Sequence, residues 1–300
     1  MADIRFVKYN RTRKEEFQIK TSILEESGLL YVEKKALCQE GAAHICSFEE
    51  KSRRLMQQNQ SVKLICPEIS EDGRTARFAY LRGKTMAELA EDTWAEHQID
   101  AVKRCMAVIY DIKQEYITDF YITPEFIEVF DATGELKSYF DAGEAGAEIL
   151  IADQSYATSN IDALFDNMIV TEDGVYALDY EWVYSFPIPM HFVQYRTLLY
   201  FYQKYESLMS YKGAEEFLEA FDIDKTMIPV YEKMERGFQE YVHGENQRIY
   251  QENFMVETKT VKDMEAVECE LAEAKERNER LQAELFENRT ALKKGQEVQR

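Results

Sequence analysis

The chain has 300 residues, 45% apolar, 31% charged and 13% aromatic, and its 56 acidic against 36 basic side chains give a net charge of −20. This composition excludes collagen-like, disulfide-scaffold and wholly disordered chains. So acidic a protein is repelled by nucleic acid and by anionic membranes, although a local basic site for a phosphate is still allowed.

Residues 4–9 read as a short strand, 17–25 as a second in which Phe17, Ile19, Thr21 and Ile23 alternate with polar neighbours, and 29–36 as a third. The turn at Ser27 and Gly28 makes the last two a hairpin. Residues 40–58 have helical spacing, with Ala43, Phe48 and Leu55 among the apolar positions. Two further strands, 61–67 and 75–81, flank the turn Ser70, Glu71, Asp72, Gly73, so the order is β-β-β-α-β-β. From Met86 the pattern turns helical. Residues 94–116 carry Val102, Met106, Ile109 and Ile112 on one stripe, and 117–152 read as loops with short elements. Residues 168–170 and 175–178 are two short strands around Glu172, Asp173 and Gly174. The aromatic run 192–202, interrupted by Gln194 and Arg196, reads as a buried helix.

The tail differs. Met264, Val267, Leu271, Ala274, Asn278, Leu281, Leu285, Asn288 and Leu292 are spaced alternately by three and four, a heptad register with Asn278 at an a position. This predicts a coiled coil, and through it a homo-oligomer or a protein partner; the competing reading is one solvated helix. Cys38, Cys46, Cys66, Cys105 and Cys269 are odd in number and contain no C-x-x-C pair, which fits reduced, mostly buried thiols rather than zinc or disulfides. His44, His97, His191 and His243 lack ligand spacing and are assigned to structure or solvent. No apolar leader opens the chain and no run of about 18 apolar residues occurs, so a cytoplasmic protein without a transmembrane segment is expected.

The informative stretch is 159–182, SNIDALFDNMIVTEDGVYALDYEW. Asp162 is followed five residues later by Asn167, and a two-strand hairpin then ends in Asp179. Phosphoryl transfer needs a carboxylate to orient a hydroxyl and accept its proton, and oxygen ligands to hold Mg²⁺ against nucleotide phosphates. Asp-x4-Asn on a loop lets the Asp face an acceptor and the Asn face a metal. The hairpin carries a second carboxylate back to that metal.

These residues resemble the protein-kinase-like superfamily, in the branch of aminoglycoside and choline phosphotransferases. There the catalytic loop reads roughly H-G-D-x4-N and the metal aspartate follows in I-D-F-E. Here the first is Asn160, Ile161, Asp162 with Asn167, and the second is Leu178, Asp179, Tyr180, Glu181. The resemblance implies a bilobal α+β fold: a five-stranded antiparallel sheet plus helix as N-lobe over 1–82, a mainly helical C-lobe over 83–255, and a C-terminal helix or coiled coil over 256–300. It implies ATP and Mg²⁺, with Asp162 as catalytic base and Asn167 and Asp179 as metal ligands. Lys34 or Lys35 is the implied phosphate lysine, Lys34 being favoured because it shares a strand face with Val32. Glu49 or Glu50 is its implied helix partner, and the backbone of Ala79, Tyr80 and Leu81 is the implied adenine-pairing linker. The run DYEWVYSFPIP and the tail look most like the kinase domain of bacterial O-antigen chain-terminating kinase–methyltransferases. That likeness implies a hydroxyl of a small molecule or glycan as acceptor, in polysaccharide biosynthesis peripheral to a membrane assembly complex.

Three departures matter. Asn160 replaces the family's histidine, and as a hydrogen-bonding residue it can substitute for it. The loop 10–16 contains no glycine, which weakens backbone cradling of a phosphate and leaves Arg11, Arg13 or Lys14 to act by charge. Phe165 and Asp166 replace Pro-Gly, with Asp166 either near the metal or in solvent. The missing glycines favour a rival reading, a pseudokinase that acts as a binding or scaffold module.

Overall fold

A computed structural model describes residues 2–91, 95–143, 145–205 and 213–246, together with 277 and 280. The chain divides into two units, Met1–Tyr250 and Gln251–Arg300. In the second unit, residues 277 and 280 are helical; the rest of the heptad run, and with it the expected coiled coil and its partner, lies outside the described residues.

The first unit begins with β1 (Asp3–Tyr9), β2 (Ile19–Glu26) and β3 (Leu29–Ala36). Ser27 and Gly28, at φ 54° and 79°, form a two-residue hairpin turn whose left-handed backbone matches strand twist. Helix α1 (Ala42–Gln58) follows and buries His44, Ile45, Phe48, Ser52 and Leu55 along one stripe. Then come β4 (Val62–Leu64), β5 (Glu68–Ile69) and β6 (Thr75–Ala79). The five-stranded sheet has the order β1-β2-β3-β6-β5, and every pair in it is antiparallel.

The expected strand 61–67 is in fact two pieces. Pro67, with no N–H to give a ladder, separates them. Only β5 joins the first sheet, whereas β4, with Val62 and Leu64 buried, is the edge strand of a second sheet.

The chain crosses to that second sheet through β7 (Lys84–Thr85) and continues as α2 (Met86–Glu91) and α3 (Ala95–Ile109). Helix α3 stops short of the expected residue 116 because the backbone beyond it is recruited by the end of α1. Gln60 N–H donates to the Asp111 carbonyl at 2.9 Å, and Lys113 N–H donates to the Gln58 carbonyl at 3.0 Å. Next are β8 (Ile117–Asp119), α4 (Pro124–Phe130), α5 (Glu135–Asp141), α6 (Ala145–Ile151), β9 (Gln154–Tyr156) and β10 (Ser159–Asn160). The hairpin β11 (Met168–Thr171) and β12 (Gly174–Ala177) leads to β13 (Val183–Tyr184). Helices α7 (Met190–Lys204), α8 (Ala214–Glu219) and α9 (Ile228–His243) complete the unit. The second sheet has the order β4-β12-β11-β7, with β4 parallel to β12, while β10 pairs with β13. The pairings place the segment 161–167 and Asp179 side by side, one after β10 and the other before β13.

An antiparallel sheet with one helix after its third strand, followed by helices around a small second sheet, is the α+β architecture that the sequence resemblance implies. The helical part is packed by aromatic side chains, with Phe130 in contact with Phe126, Phe192 and Phe238. Among the described residues no helix is long and apolar enough to cross a membrane. Among the described residues the thiols depart from expectation: Cys46 and Cys66 are exposed, and Cys38 and Cys105 are half-buried, while Cys269 lies outside the described residues. Cys46 lies off the buried stripe of α1, which explains its exposure.

Gly83 marks the crossing between the two sheets. A Cβ there would sit 2.2 Å from the Val170 carbonyl oxygen and 3.0 Å from the Ile169 side chain. Gly83→Ala is therefore expected to lose about 1–3 kcal/mol, the usual range for overpacking. Chemical denaturation checks this; a midpoint equal to wild type would refute the close approach.

Candidate active site

A slot opens between the first sheet and the hairpin β11–β12. Val32, Phe48, Phe78 and Ala177 form its apolar walls, and Lys34, Asp179 and Glu181 form its polar end. Ala79, Tyr80 and Leu81 line it as well. Ala79 is the last paired residue of β6, opposite Tyr31, so Tyr80 and Leu81 run past the end of the ladder.

Alternation along β3 sends Lys34 inward and Lys35 to solvent. The Lys34 ammonium donates to Asp179 Oδ1 and to Glu181 Oε1. Neither expected helix partner reaches it. Glu49 is exposed, and Glu50 accepts instead from its own helix, from Arg53 Nε at 3.0 Å and Arg54 Nε at 2.6 Å. The reason is helical phase: the buried stripe of α1 runs through His44, Phe48 and Ser52, and positions 49 and 50 fall on its flank. Phe48 takes the place next to Lys34, with its ring centroid 5.7 Å from Nζ. The buried acid comes from Glu181.

Glu181 gathers charge from several elements. Arg13, in the loop between β1 and β2, donates to Glu181 Oε2 at 2.5 Å and lies 5.3 Å from the Trp182 ring. Lys51 of α1 donates to the Glu181 carbonyl oxygen. Burial works to raise the Glu181 pKa, but Arg13 and Lys34 carry it well below the usual carboxylate range. Burial works against the charge on Lys34, yet Asp179 and Glu181 raise its pKa above the lysine norm. Lys51 has weaker compensation, and burial lowers it to about 8. His44 Nε2 stands 3.8 Å from Glu181 Oε2 in a cage of Phe17, Phe48 and Trp182. Burial lowers its pKa to about 4, so at neutral pH this contact is not an ion pair.

Asp179 takes φ 52°, a left-handed conformation that costs roughly 1–2 kcal/mol for a residue with a side chain and that Asp tolerates better than most. It sits at the floor of the cleft, where half of its side chain still meets solvent. The protein around it is nonetheless close enough that burial raises its pKa, opposed by Lys34 and assisted by Glu181.

Main-chain bonds lace the neighbouring loop to this turn. Leu178 N–H donates to the Asn167 carbonyl at 2.7 Å, and Ile161 N–H donates to the Trp182 carbonyl at 3.0 Å. Asn167 Nδ2 donates to the Asp162 carbonyl at 2.9 Å, which leaves the amide oxygen as the remaining ligand atom of that side chain. Asn160 Oδ1 accepts the Asp162 N–H at 3.1 Å, a hydrogen-bonding role at the position where histidine was replaced.

Asp162 is mostly buried, and burial raises its pKa to about 7; Arg196 lowers it, while Asp179 and Glu181 push it up. Arg196, on α7, lies 3.5 Å from Asp162 Oδ1 and donates to the Ile161 carbonyl. Its Nε donates to Glu235 of α9 at 2.6 Å. Asp166 is at the surface, paired with Lys204 at 2.5 Å. His191 pairs with Asp153 at 2.7 Å and His243 Nδ1 lies 3.0 Å from the Thr12 carbonyl, both away from the slot. The His97 side chain lies outside the described residues.

The sequence reading did not assign roles to Lys51, Arg196, Glu235 or the Glu181 side chain. A signal existed for Arg196, the one charged residue in the aromatic run 192–202. Among the described residues no group of three or more His, Cys, Asp or Glu side chains is placed to hold a metal unaided. The available donors, a carboxylate on Asp179 and an amide oxygen on Asn167, are hard oxygen ligands. They suit Mg²⁺, which takes one or two protein ligands and completes its shell with phosphate and water.

No family model matches the chain, and no curated protein matches it. Solved structures do. An aminoglycoside phosphotransferase from Streptomyces rimosus aligns over 73% of this chain and 89% of its own, at 14% identity and TM-score 0.46. The choline kinase LicA from Streptococcus pneumoniae aligns over 77% and 82%, at 10% identity and TM-score 0.40. A Plasmodium vivax ethanolamine kinase aligns over 80% and 72%, at 11% identity and TM-score 0.42.

His44 gives the site a signature in stability. Its folded pKa of about 4 lies below the ordinary value of 6.5, so the unfolded chain binds more protons between the two. The resulting stabilisation is complete above pH 6.5 and is lost as pH falls toward 4. His44→Phe is expected to flatten this slope. Denaturation of both proteins between pH 7 and 5 tests it, and parallel slopes would count against a neutral buried His44.

Proposed function

We propose that the first unit is a Mg-ATP-dependent phosphotransferase acting on a hydroxyl of a small molecule or glycan. One observation carries this reading. Asp179, bonded to Lys34, lies at the polar end of an apolar slot whose lining includes Ala79, Tyr80 and Leu81, and the loop carrying Asp162 and Asn167 is hydrogen-bonded to the turn that carries Asp179.

The slot's apolar walls suit a purine, and the backbone after β6 is available to pair with its edge. Lys34 would exchange Asp179 for the phosphates, its charge secured by Glu181. Asp179 and Asn167 would hold Mg²⁺, which when bound neutralises phosphate charge and fixes the phosphates for in-line transfer. Asp162 would accept a hydrogen bond from the acceptor hydroxyl. As that oxygen bonds to the γ-phosphorus, the bond from phosphorus to the β-bridging oxygen breaks, the hydroxyl proton passes to an Asp162 carboxylate oxygen, and ADP leaves. A carboxyl group with a pKa near 7 is suited to that exchange.

The sugar-type acceptor is supported by the run DYEWVYSFPIP and its resemblance to kinases that cap surface polysaccharides. On this reading residues 1–82 and 83–255 are the two lobes, and 256–300 form a coiled coil that recruits copies or partners. The rival scaffold reading is favoured by one feature, the glycine-free loop 10–16.

Calorimetric titration with ATP separates the two. Wild type is expected to bind ATP more tightly with Mg²⁺ than without, and Asp179→Ala to lose that increment. Asp162→Asn is expected to keep binding and to lose about 10²–10⁴-fold in transfer rate. A folded wild type that binds no ATP would favour the scaffold.

A further inference from the structure

A nucleotide triphosphate has to be held by something, and the β1–β2 loop is tied to other elements at several main-chain atoms. The Thr12 carbonyl faces His243 Nδ1 at 3.0 Å, the Arg13 carbonyl accepts from Gln18 Nε2 at 2.8 Å, and the Lys14 N–H donates to the Val242 carbonyl at 2.8 Å. With no glycine between residues 10 and 16, the loop also lacks the conformational freedom that backbone cradling uses. Yet three cations from three separate elements gather around Glu181, which lines the polar end of the slot with Lys34. Arg13 comes from the loop, Lys34 from β3 and Lys51 from α1.

The side chain of Glu181 is 3% exposed and takes Arg13 and Lys34, while its carbonyl takes Lys51. Lys34 and Arg13 are themselves 7% and 17% exposed. Cations buried so far from water need a counter-ion in place at all times, ligand or not. Glu181 supplies it from inside the protein, which leaves their remaining donors for an incoming anion. A guanidinium carries five N–H donors and an ammonium three, so one carboxylate contact does not exhaust them.

We propose that Arg13 and Lys51 join Lys34 as a three-cation seat for the nucleotide's β- and γ-phosphates, replacing a glycine-rich cradle, with Glu181 as the positioning residue that holds the seat together before the nucleotide arrives. This rests on the phosphotransferase reading above. Affinity then climbs with the number of phosphates, and each cation contributes to the di- and triphosphates and not to the nucleoside. Charge-assisted bonds of this kind correspond to about tenfold to a hundredfold in affinity each.

The test is calorimetric titration of adenosine, AMP, ADP and ATP, each with Mg²⁺, into wild type, Arg13→Gln, Arg13→Lys and Lys51→Met, with a thermal melt of every protein. Arg13→Gln and Lys51→Met are expected to lose at least about tenfold for ATP and to keep adenosine affinity within about twofold, and Arg13→Lys to recover part of the loss. ATP affinity equal to wild type in both neutral variants would overturn the seat. So would equal losses for ATP and adenosine, because the residues would then act through the fold. Should Arg13→Gln melt below the working temperature, Lys51→Met decides by the same comparison. A wild type that binds neither ATP nor adenosine would bring down the nucleotide reading itself, a different result from a wild type that binds ATP with the cations dispensable.

Discussion

A carboxylate taken out of water must be compensated where it sits, and Glu181 is the group on which this constraint falls. Its desolvation costs several kcal/mol unless cations meet it in the interior. They arrive from the β1–β2 loop and from β3, and α1 caps the same residue at its carbonyl. This one residue therefore ties three elements together: a loop that has no glycine to make it pliable, Lys34 of β3, and α1. Glu181 lies two residues past Asp179, and its N–H donates to the Asp179 carbonyl at 3.0 Å across the turn in which Asp179 adopts its left-handed backbone.

A second buried ion pair supports the other half of the site. Arg196 of α7 holds Glu235 of α9 on one side and the Ile161 carbonyl on the other, beside Asp162. Tyr200 and Gln239 also donate to Glu235, at 2.9 and 2.7 Å, so this acid is fully occupied. Asp162 is thus backed by the helices and Asp179 by the sheet, and the short bonds at Asn167 and Leu178 tie the two together. The arrangement follows the logic of preorganised sites, in which the groups that act are oriented by others that do not.

Much of this was legible in the residues. Strand alternation, the hairpin turn at Ser27 and Gly28, the phase that turns Lys34 inward, and the spacing of Asp162, Asn167 and Asp179 are local properties of the sequence, and local patterns survive folding. What the sequence hid is long-range. Val62 and Leu64 look like any strand, and their partner lies more than a hundred residues on, at Val175 and Ala177. The partner of Lys34 was sought on α1 by resemblance, where the phase of the buried stripe excludes Glu49 and Glu50; the acid that does the work stood in plain view after Asp179. Lys51 and Arg13 are ordinary surface residues until the fold closes over them. Arg196 alone announced itself, as a charge in an otherwise aromatic run.

The loop between β1 and β2 has a consequence for how anything enters and leaves. The covalent crossing at Gly83 joins the first sheet to the helical part on one side of the cleft. The bonds from Thr12 and Lys14 to the end of α9 join them a second time. Two attachments make a frame rather than a jaw, because swinging open on the first would break the hydrogen bonds of the second.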